Sequence, residues 1–384
     1  MKAFFLAGLL LLGGVLRAQT VNTYYQTIVS GVQYDTVLGN LQHFESLGTK
    51  SVSSQALRNT ATWLCSEYAS YGYTDVIRDT FSYSGNELYN IVVTKTGTVT
   101  PGKTLIICGH YDTQSGPGTN DNGSGVSIIL EIARLMQSIP TEYSVKFINF
   151  SAEESGLLGS EHYVSHTVVT ENPDILLVFN IDEVGGVAGQ VNNTITCEYD
   201  NTSPSANNAI SGNYTDTLAN LTELYSSLLT TQSNAYGSDY VPFEDNGEII
   251  TGYYETNESS YVHGASDNLS HLDTSYVVEL ARAATGAALY FARAYQVVVG
   301  MHNSESIAFS VYPNPVRNEL TVRSATPGET VFTLYNVNGA RLVQTTSVNQ
   351  EFTIDLSAFP PAMYYYTIIG NPQGRLTTGK LIRQ

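Results

Sequence analysis

Cysteine is scarce in this 384-residue chain, with three in all: Cys65, Cys108 and Cys197. A small secreted scaffold held by disulfides would carry more of them, in even number. Cys108 sits in the apolar run TLIICGH and reads as a buried thiol; Cys65 and Cys197 can pair, but nothing in the sequence requires it. Basic side chains are also few, 17 Lys and Arg against 35 Asp and Glu, for a net charge of −18. Residues 19–307 hold 9 of the basic and 31 of the acidic side chains, a net of −22, whereas residues 308–384 carry +2. So acidic a surface argues against nucleic acid as a partner. It favours solubility outside the cell and steers cationic ligands inward, a free α-ammonium group among them. After residue 18 no apolar run is long enough to cross a bilayer, and there is no internal repeat.

What is present falls into blocks. Residues 1–18, MKAFFLAGLLLLGGVLRA, have an early Lys2, an apolar run and a small residue at Ala18, the pattern of a secretory signal cleaved before Gln19. Residues 19–298 alternate apolar strands with amphipathic helices, which predicts an α/β fold, a three-layer α/β/α arrangement around a central mixed sheet. Strands are expected at 88–95, 103–110, 144–152, 175–182 and 248–255, and helices at 124–137, 157–166, 217–229 and 275–295. The Asn/Ser/Thr-rich stretch 192–216 reads as an irregular surface loop. Residues 299–307 form a linker, and 308–384 show short β-type runs broken by Pro, Asn and Gly, predicting a small all-β, Ig-like sandwich.

The chemistry concentrates at the ends of the expected strands, where ligands collect in open α/β sheets. His110 closes one strand and is followed by Asp112, which on an extended backbone can reach the second imidazole nitrogen and fix its tautomer. Taken alone, such a pair is more often a core histidine beside a turn aspartate. Asp121 lies in GTNDNGSG, a loop that can hold an ion or simply cap the next helix. Glu153 and Glu154 are harder to explain away, because adjacent carboxylates at the end of an apolar strand repel unless a cation lies near. One of such a pair can bind metal while the other moves protons. Asp182 would be a costly buried charge without a partner, and His263 is a loop histidine with Asp267 four residues on. Imidazoles and carboxylates in this number suit a pair of zinc ions. His162 and His166 have the spacing of H-E-x-x-H, but Glu161 precedes the first histidine, so they are read as surface, with His43, His271 and His302 unassigned.

The motifs GHYD, GTNDNGSG, AEESGLLGS, NIDEVG, GSDY and YVHGASDNL, in this order over about residues 85–295, resemble the M28 family of zinc aminopeptidases. The resemblance implies two Zn2+ ions per chain, with Asp121 bridging, His110 and Asp182 on one ion, and Glu154 and His263 on the other. It makes Glu153 the general base, with Asp112 supporting His110 as its spacing suggests. Tyr236 is the nearest candidate for an oxyanion-stabilising tyrosine, at an inexact spacing. The family often has Asp where this chain has Asn120 and His where it has Tyr240. The tail motifs VYPNP (311–315), YNVNGARLV (335–343) and GKLIRQ (379–384) resemble the sorting domain of the type IX secretion system of Bacteroidetes. That implies engagement of secretion machinery and export across both membranes of a Gram-negative cell, the enzyme then released or attached to the outer surface. The expected activity is removal of N-terminal residues from peptides with a free N-terminus. Rivals are a carboxypeptidase or glutaminyl cyclase on the same fold, a lipid or sugar amidohydrolase, and an inactive surface-binding protein.

Overall fold

The structure, a computed structural model, describes residues 20–296, 309–325, 327–337, 339–370 and 375–384. The expected signal segment 1–18 and linker 299–307 lie outside the described residues. The chain divides into two compact units, Met1–Gln296 and Val297–Gln384.

Three helices open the first unit: α1 (Thr23–Val29), α2 (Tyr34–Ser46) and α3 (Gln55–Ser70). Then come β1 (Val76–Tyr83), β2 (Asn86–Lys95), β3 (Thr100–His110), α4 (Gly123–Met136) and β4 (Tyr143–Phe150). A helical stretch follows as α5 (Leu158–Tyr163), a π-helical turn (Val164–Val168) and α6 (Val169–Glu171), leading into β5 (Asp174–Ile181). The unit closes with β6 (Thr194–Tyr199), α7 (Asn208–Tyr225), β7 (Leu229–Asn234), α8 (Val241–Asp245), β8 (Ile250–Glu255) and α9 (Thr274–Phe291).

The strands form one mixed sheet in the order β1-β2-β4-β3-β5-β8-β6-β7. At its centre β4, β3, β5 and β8 run parallel, so their carboxyl ends share one edge. Parallel strands covered on both faces read as continuous apolar runs, and β3 shows why. Leu105 and Ile107 enter a core packed by α2, α3, α4, α7 and α9, while Ile106 and Cys108 enter a second core with Tyr163, Val164 and Phe243 on the other face. Burying each such aliphatic side chain contributes about 1.5–3 kcal/mol. Helix α4 packs close beneath the sheet: a Cβ added at Gly125 would meet the Ile181 carbonyl oxygen at 2.3 Å, so only glycine allows the approach.

The stretch 192–216 departs from its expected loop. Strand β6 lies inside it, antiparallel to β8, and α7 begins at Asn208. Hydroxyls rather than an apolar stripe dock the first half of α7: Ser211 Oγ donates to the Ile250 carbonyl at 2.6 Å and Thr215 Oγ1 to the Glu198 carbonyl at 2.8 Å. That kind of burial leaves no hydrophobic period in the sequence.

The second unit is all-β. Strands β9 (Phe309–Tyr312), β10 (Glu319–Ser324), β11 (Thr330–Tyr335), β12 (Arg341–Ser347), β13 (Glu351–Asp355), β14 (Met363–Gly370) and β15 (Arg375–Ile382) form two antiparallel sheets. Their orders are β13-β10-β9 and β12-β11-β14-β15. Leu320, Val322 and Ile354 from one sheet and Phe332, Leu334 and Ile368 from the other share a single apolar core. All three cysteines are free. Among the described residues no helix is long and apolar enough to cross a membrane.

Candidate metal centre

Four chain segments converge beyond the carboxyl ends of β3, β4, β5 and β8. His110 is the last residue of β3, and Asp182 follows the last residue of β5. After β4 the chain turns sharply through Ala152 in the left-handed region (φ 60°), which places Glu153 and Glu154 on a short 3-10 turn. His263, also left-handed (φ 58°), comes from the loop after β8.

Asp121 joins these groups. His110 Nε2 lies 3.1 Å from Asp121 Oδ1 and 3.1 Å from Asp182 Oδ1. The other oxygen, Asp121 Oδ2, is 3.1 Å from His263 Nε2, which in turn is 3.6 Å from Glu154 Oε2. One carboxylate thus faces two different imidazoles, one with each oxygen. Two sets of donor atoms, each within 4.8 Å of one another, result: His110, Asp121 and Asp182, and then Asp121, Glu183 and His263. Glu183, the second acid after the apolar run ILLVFNI, is not among the ligands expected from the sequence. Glu154 Oε2 accepts from Gln114 at 2.6 Å, while its Oε1 is buried with no hydrogen-bond partner.

A layer of hydrogen bonds holds these groups. The contact nearest His110 Nδ1 is the Asp112 main-chain oxygen at 3.2 Å, with the Asp112 carboxylate at 3.6 Å. That carboxylate accepts from the backbone N–H groups of Glu153 (3.0 Å) and Glu154 (3.2 Å), clamping the turn that carries both glutamates. Asp267 does the same for the Asp121 loop, accepting from Asn120 N at 2.8 Å and Asp121 N at 3.0 Å. Ser238 Oγ donates to Asp182 Oδ2 at 2.6 Å and accepts from Asn180 Nδ2 at 2.8 Å. Tyr240 donates to Glu198 Oε2 at 2.7 Å and accepts from Tyr236 N at 2.8 Å. The Tyr236 hydroxyl itself is buried without a partner, its ring 4.6 Å from that of Tyr254.

The electrostatics are those of crowded, desolvated carboxylates. Burial, with Asp182 and Asp239 adding to it, pushes Glu153 up to about 10. Burial, with Asp121 next, pushes Glu154 up to about 8. Glu183 rises to about 10 through burial and the charges of Asp121, Asp182 and Glu255. Burial works to lower His110, but Asp182 and Glu153 outweigh it and hold the imidazole well above its ordinary value. The hydrogen bond with Asp121 holds His263 up at about 9. Asp121 is drawn below the usual carboxylate range by His110 and His263, although burial opposes this. Protein groups alone therefore relieve the crowding by holding protons on carboxyls and imidazoles, and divalent cations would take the place of those protons. The donor set, imidazole nitrogens and carboxylate oxygens with one carboxylate central, fits zinc.

The other histidines lie elsewhere. His162 Nε2 is 3.2 Å from Asp79 Oδ1 and its ring stacks on that of His166 at 4.2 Å, so this pair does not enter the centre. His43 packs on Trp63 at 4.8 Å, and His271 stacks on Tyr261 at 3.9 Å. His302 lies outside the described residues.

Comparison with known proteins places each unit in a family. The model of peptidase family M28 matches residues 90–288, and that of a secretion system C-terminal sorting domain matches residues 310–384. Aminopeptidase YwaD of Bacillus subtilis is 35% identical over 174 residues, 44% of this chain and 36% of that relative. The match thus spans little more than a third of the relative's length. Among solved structures, the Legionella pneumophila LapA aminopeptidase superposes with a TM-score of 0.63 at 22% identity, covering 77% of this chain and 81% of that one. A glutaminyl cyclase of Macrostomum lignano gives 0.62 at 13% identity, covering 73% and 96%. At such identities these two likenesses speak for the fold, which by itself does not separate the two chemistries.

Proposed function

The chain belongs to peptidase family M28, and from that premise we propose that it is a secreted aminopeptidase working with two zinc ions. The observation that carries the reading is Asp121, whose two oxygens each lie 3.1 Å from a different imidazole. Asp121 would bridge the two ions, His110 and Asp182 completing one site and Glu154 and His263 the other. Glu154 Oε1, buried without a hydrogen-bond partner, supports a cation ligand role on that side. When bound, zinc supplies Lewis acidity, making water a better nucleophile near neutral pH and offsetting charge on the scissile carbonyl.

The chain's own residues do the rest. Glu153 takes the proton of the attacking water and delivers it to the leaving amine. Burial and the neighbouring acids favour its protonated form in the protein alone, so bound cations would be what restores the ionised form that a base requires. Asp112 keeps Glu153 in place through the backbone N–H that it accepts at 3.0 Å. Tyr236, with an unpartnered buried hydroxyl, donates to the oxyanion as it forms. Aminopeptidase action requires the substrate's free α-amine to be held beside the centre by acidic groups, in keeping with the net −22 of residues 19–307.

The tail is a secretion-system sorting domain. We read it as the type IX export signal that carries the enzyme across both membranes of a Gram-negative cell, to be released or held at the outer surface.

The test uses the mature chain on one peptide, its N-terminus free or acetylated, with zinc or with a chelator. Zinc-dependent release of the first residue from the free form only is expected. Equal cleavage of both forms would overturn the reading in favour of a carboxypeptidase or endopeptidase. Cleavage of neither would overturn it in favour of cyclase, amidohydrolase or binding roles.

A further inference from the structure

The assignment above leaves one carboxylate of the centre without a task. Glu183 offers an oxygen within 4.8 Å of donor atoms on both Asp121 and His263, yet neither of the ligand sets proposed above calls on it. The residue is only 8% exposed. Among the described residues its carboxylate has neither a hydrogen-bond donor nor an ion-pair partner, and Glu255 N at 2.9 Å bonds only its main-chain oxygen. A carboxylate so buried and unpaired is costly unless a cation meets it.

We propose that Glu183 receives the free α-ammonium group of the substrate and thereby confines this enzyme to chain ends. The proposal rests on the aminopeptidase reading and names the residue that enforces it.

Three features favour an ammonium group over a third metal ligand. The first is direction of approach. Glu154 comes from the turn after β4 and Glu183 from the end of β5, and the sheet order places β3 between those strands. The two glutamates thus reach the Asp121–His263 pair from opposite flanks of β3, and Glu154 already stands 3.6 Å from His263 Nε2. Glu183 is left on the other flank, free for a ligand.

The second is rigidity. Glu183 adopts φ 45°, and the segment around it is pinned on both sides. Asp182 N donates to the Tyr253 carbonyl at 3.3 Å, and Val184 N donates to Ser124 Oγ at 3.0 Å. The carboxylate therefore stands on a fixed backbone, as an anchor for a small cation requires.

The third is reach. A group this near the bridging aspartate can touch only that part of a peptide adjacent to the scissile carbonyl. In an aminopeptidase substrate the α-ammonium is two bonds from that carbonyl, whereas a lysine or arginine side-chain charge lies several bonds farther out. An ammonium group and a carboxylate that meet form a charge-assisted pair, the stronger class of hydrogen bond, and the arriving cation favours the ionised form of Glu183.

The test uses the full mature chain loaded with zinc, and as probes L-leucinol, which has a free amine and no scissile bond, and its N-acetyl form. Calorimetry on the native protein should find leucinol bound at least about ten times more tightly than N-acetyl-leucinol. Glu183→Gln should weaken leucinol about 10- to 100-fold, the range for one hydrogen bond to a charged group, and leave the acetylated probe unchanged. Its zinc content should equal that of the native chain. Glu183→Asp, which withdraws the carboxylate by one methylene, should fold and give an intermediate loss, serving if the first variant does not fold. Unchanged leucinol affinity in either variant would overturn the proposal, and so would loss of zinc, which would make Glu183 a ligand. Should the native chain cleave free and acetylated peptides alike, the aminopeptidase reading fails, and the two leucinol probes still decide what Glu183 binds.

Discussion

Asn120 meets Glu255 through a two-point contact: its amide nitrogen lies 3.0 Å from one carboxylate oxygen and 3.1 Å from the other. Asn120 Oδ1 in turn accepts from Gly185 N at 2.6 Å, and Glu255 accepts from Gly186 N at 2.6 Å and Ser259 N at 2.7 Å. Both side chains are buried, so the amide supplies the donor that an acid at position 120 could offer only when protonated. Here asparagine, where the family often has aspartate, is matched by its partner.

Asn120→Asp should therefore destabilise the fold by about 1–3 kcal/mol, the cost of a buried acceptor facing an acceptor. Burial already pushes Glu255 up to about 7. Below that value one proton can be shared between the two acids, so the deficit should shrink as pH falls. Urea unfolding at pH 8 and pH 6 measures both. A deficit that grows on acidification would remove Glu255 as the cause.

Ser238 orients Asp182 from behind with a 2.6 Å hydrogen bond, and Asn180 in turn orients Ser238. Partners of this kind set the direction of a ligating carboxylate, and their loss typically costs about 10–100-fold in metal affinity. Ser238→Ala should show that loss in a chelator competition, beside a loss of about 1–3 kcal/mol in fold stability from the buried groups of Asp182 and Asn180 left unpaired. Unaltered affinity would mean that Asp182 is held well enough by its backbone alone.

Glu153→Gln keeps the shape of the side chain and removes its basicity. We expect kcat to fall by about 10²–10⁴, the usual contribution of a general base, while zinc content stays at the native level. Retained turnover would take Glu153 out of the proton-transfer role. Zinc loss would instead place it among the ligands.

The sequence makes His110 and Asp182 legible because each closes or follows a strand buried on both faces, and such strands stand out as unbroken apolar runs. Glu153 and Glu154 are legible for the same reason at the end of β4. Glu183 is not. Two acids in a row after a strand would ordinarily point to different sides. Only the left-handed backbone at φ 45° brings the second one back to the centre, and nothing in NIDEVG announces that conformation. Strand β6 and the start of α7 were hidden by another cause, since Ser211 and Thr215 dock through hydroxyls that composition reads as loop. Asp112 lies beside His110, but its carboxylate stands 3.6 Å from the imidazole and spends its hydrogen bonds on two backbone N–H groups that i, i+2 spacing cannot reveal.

Glu198 offers a test of the fold's charge burial beside the metal centre, where the charge of Asp182 reaches it. It sits on β6 with 2% exposure, accepting from the Tyr240 hydroxyl at 2.7 Å. Burial outweighs that hydrogen bond and pushes the carboxyl up to about 8. An unfolded glutamate releases its proton near 4.3. Between these values the folded chain binds the extra proton, so the contribution of Glu198 to stability is fully present at low pH and declines as pH rises through about 8. Glu198→Gln keeps an acceptor for Tyr240 and never ionises. Its stability should match the native chain at pH 4 and exceed it at pH 8.5, by an amount whose ceiling is about 5 kcal/mol. Urea unfolding at the two pH values decides the matter. An offset that is the same at both would show that packing around the substituted amide, not the buried charge, governs the difference.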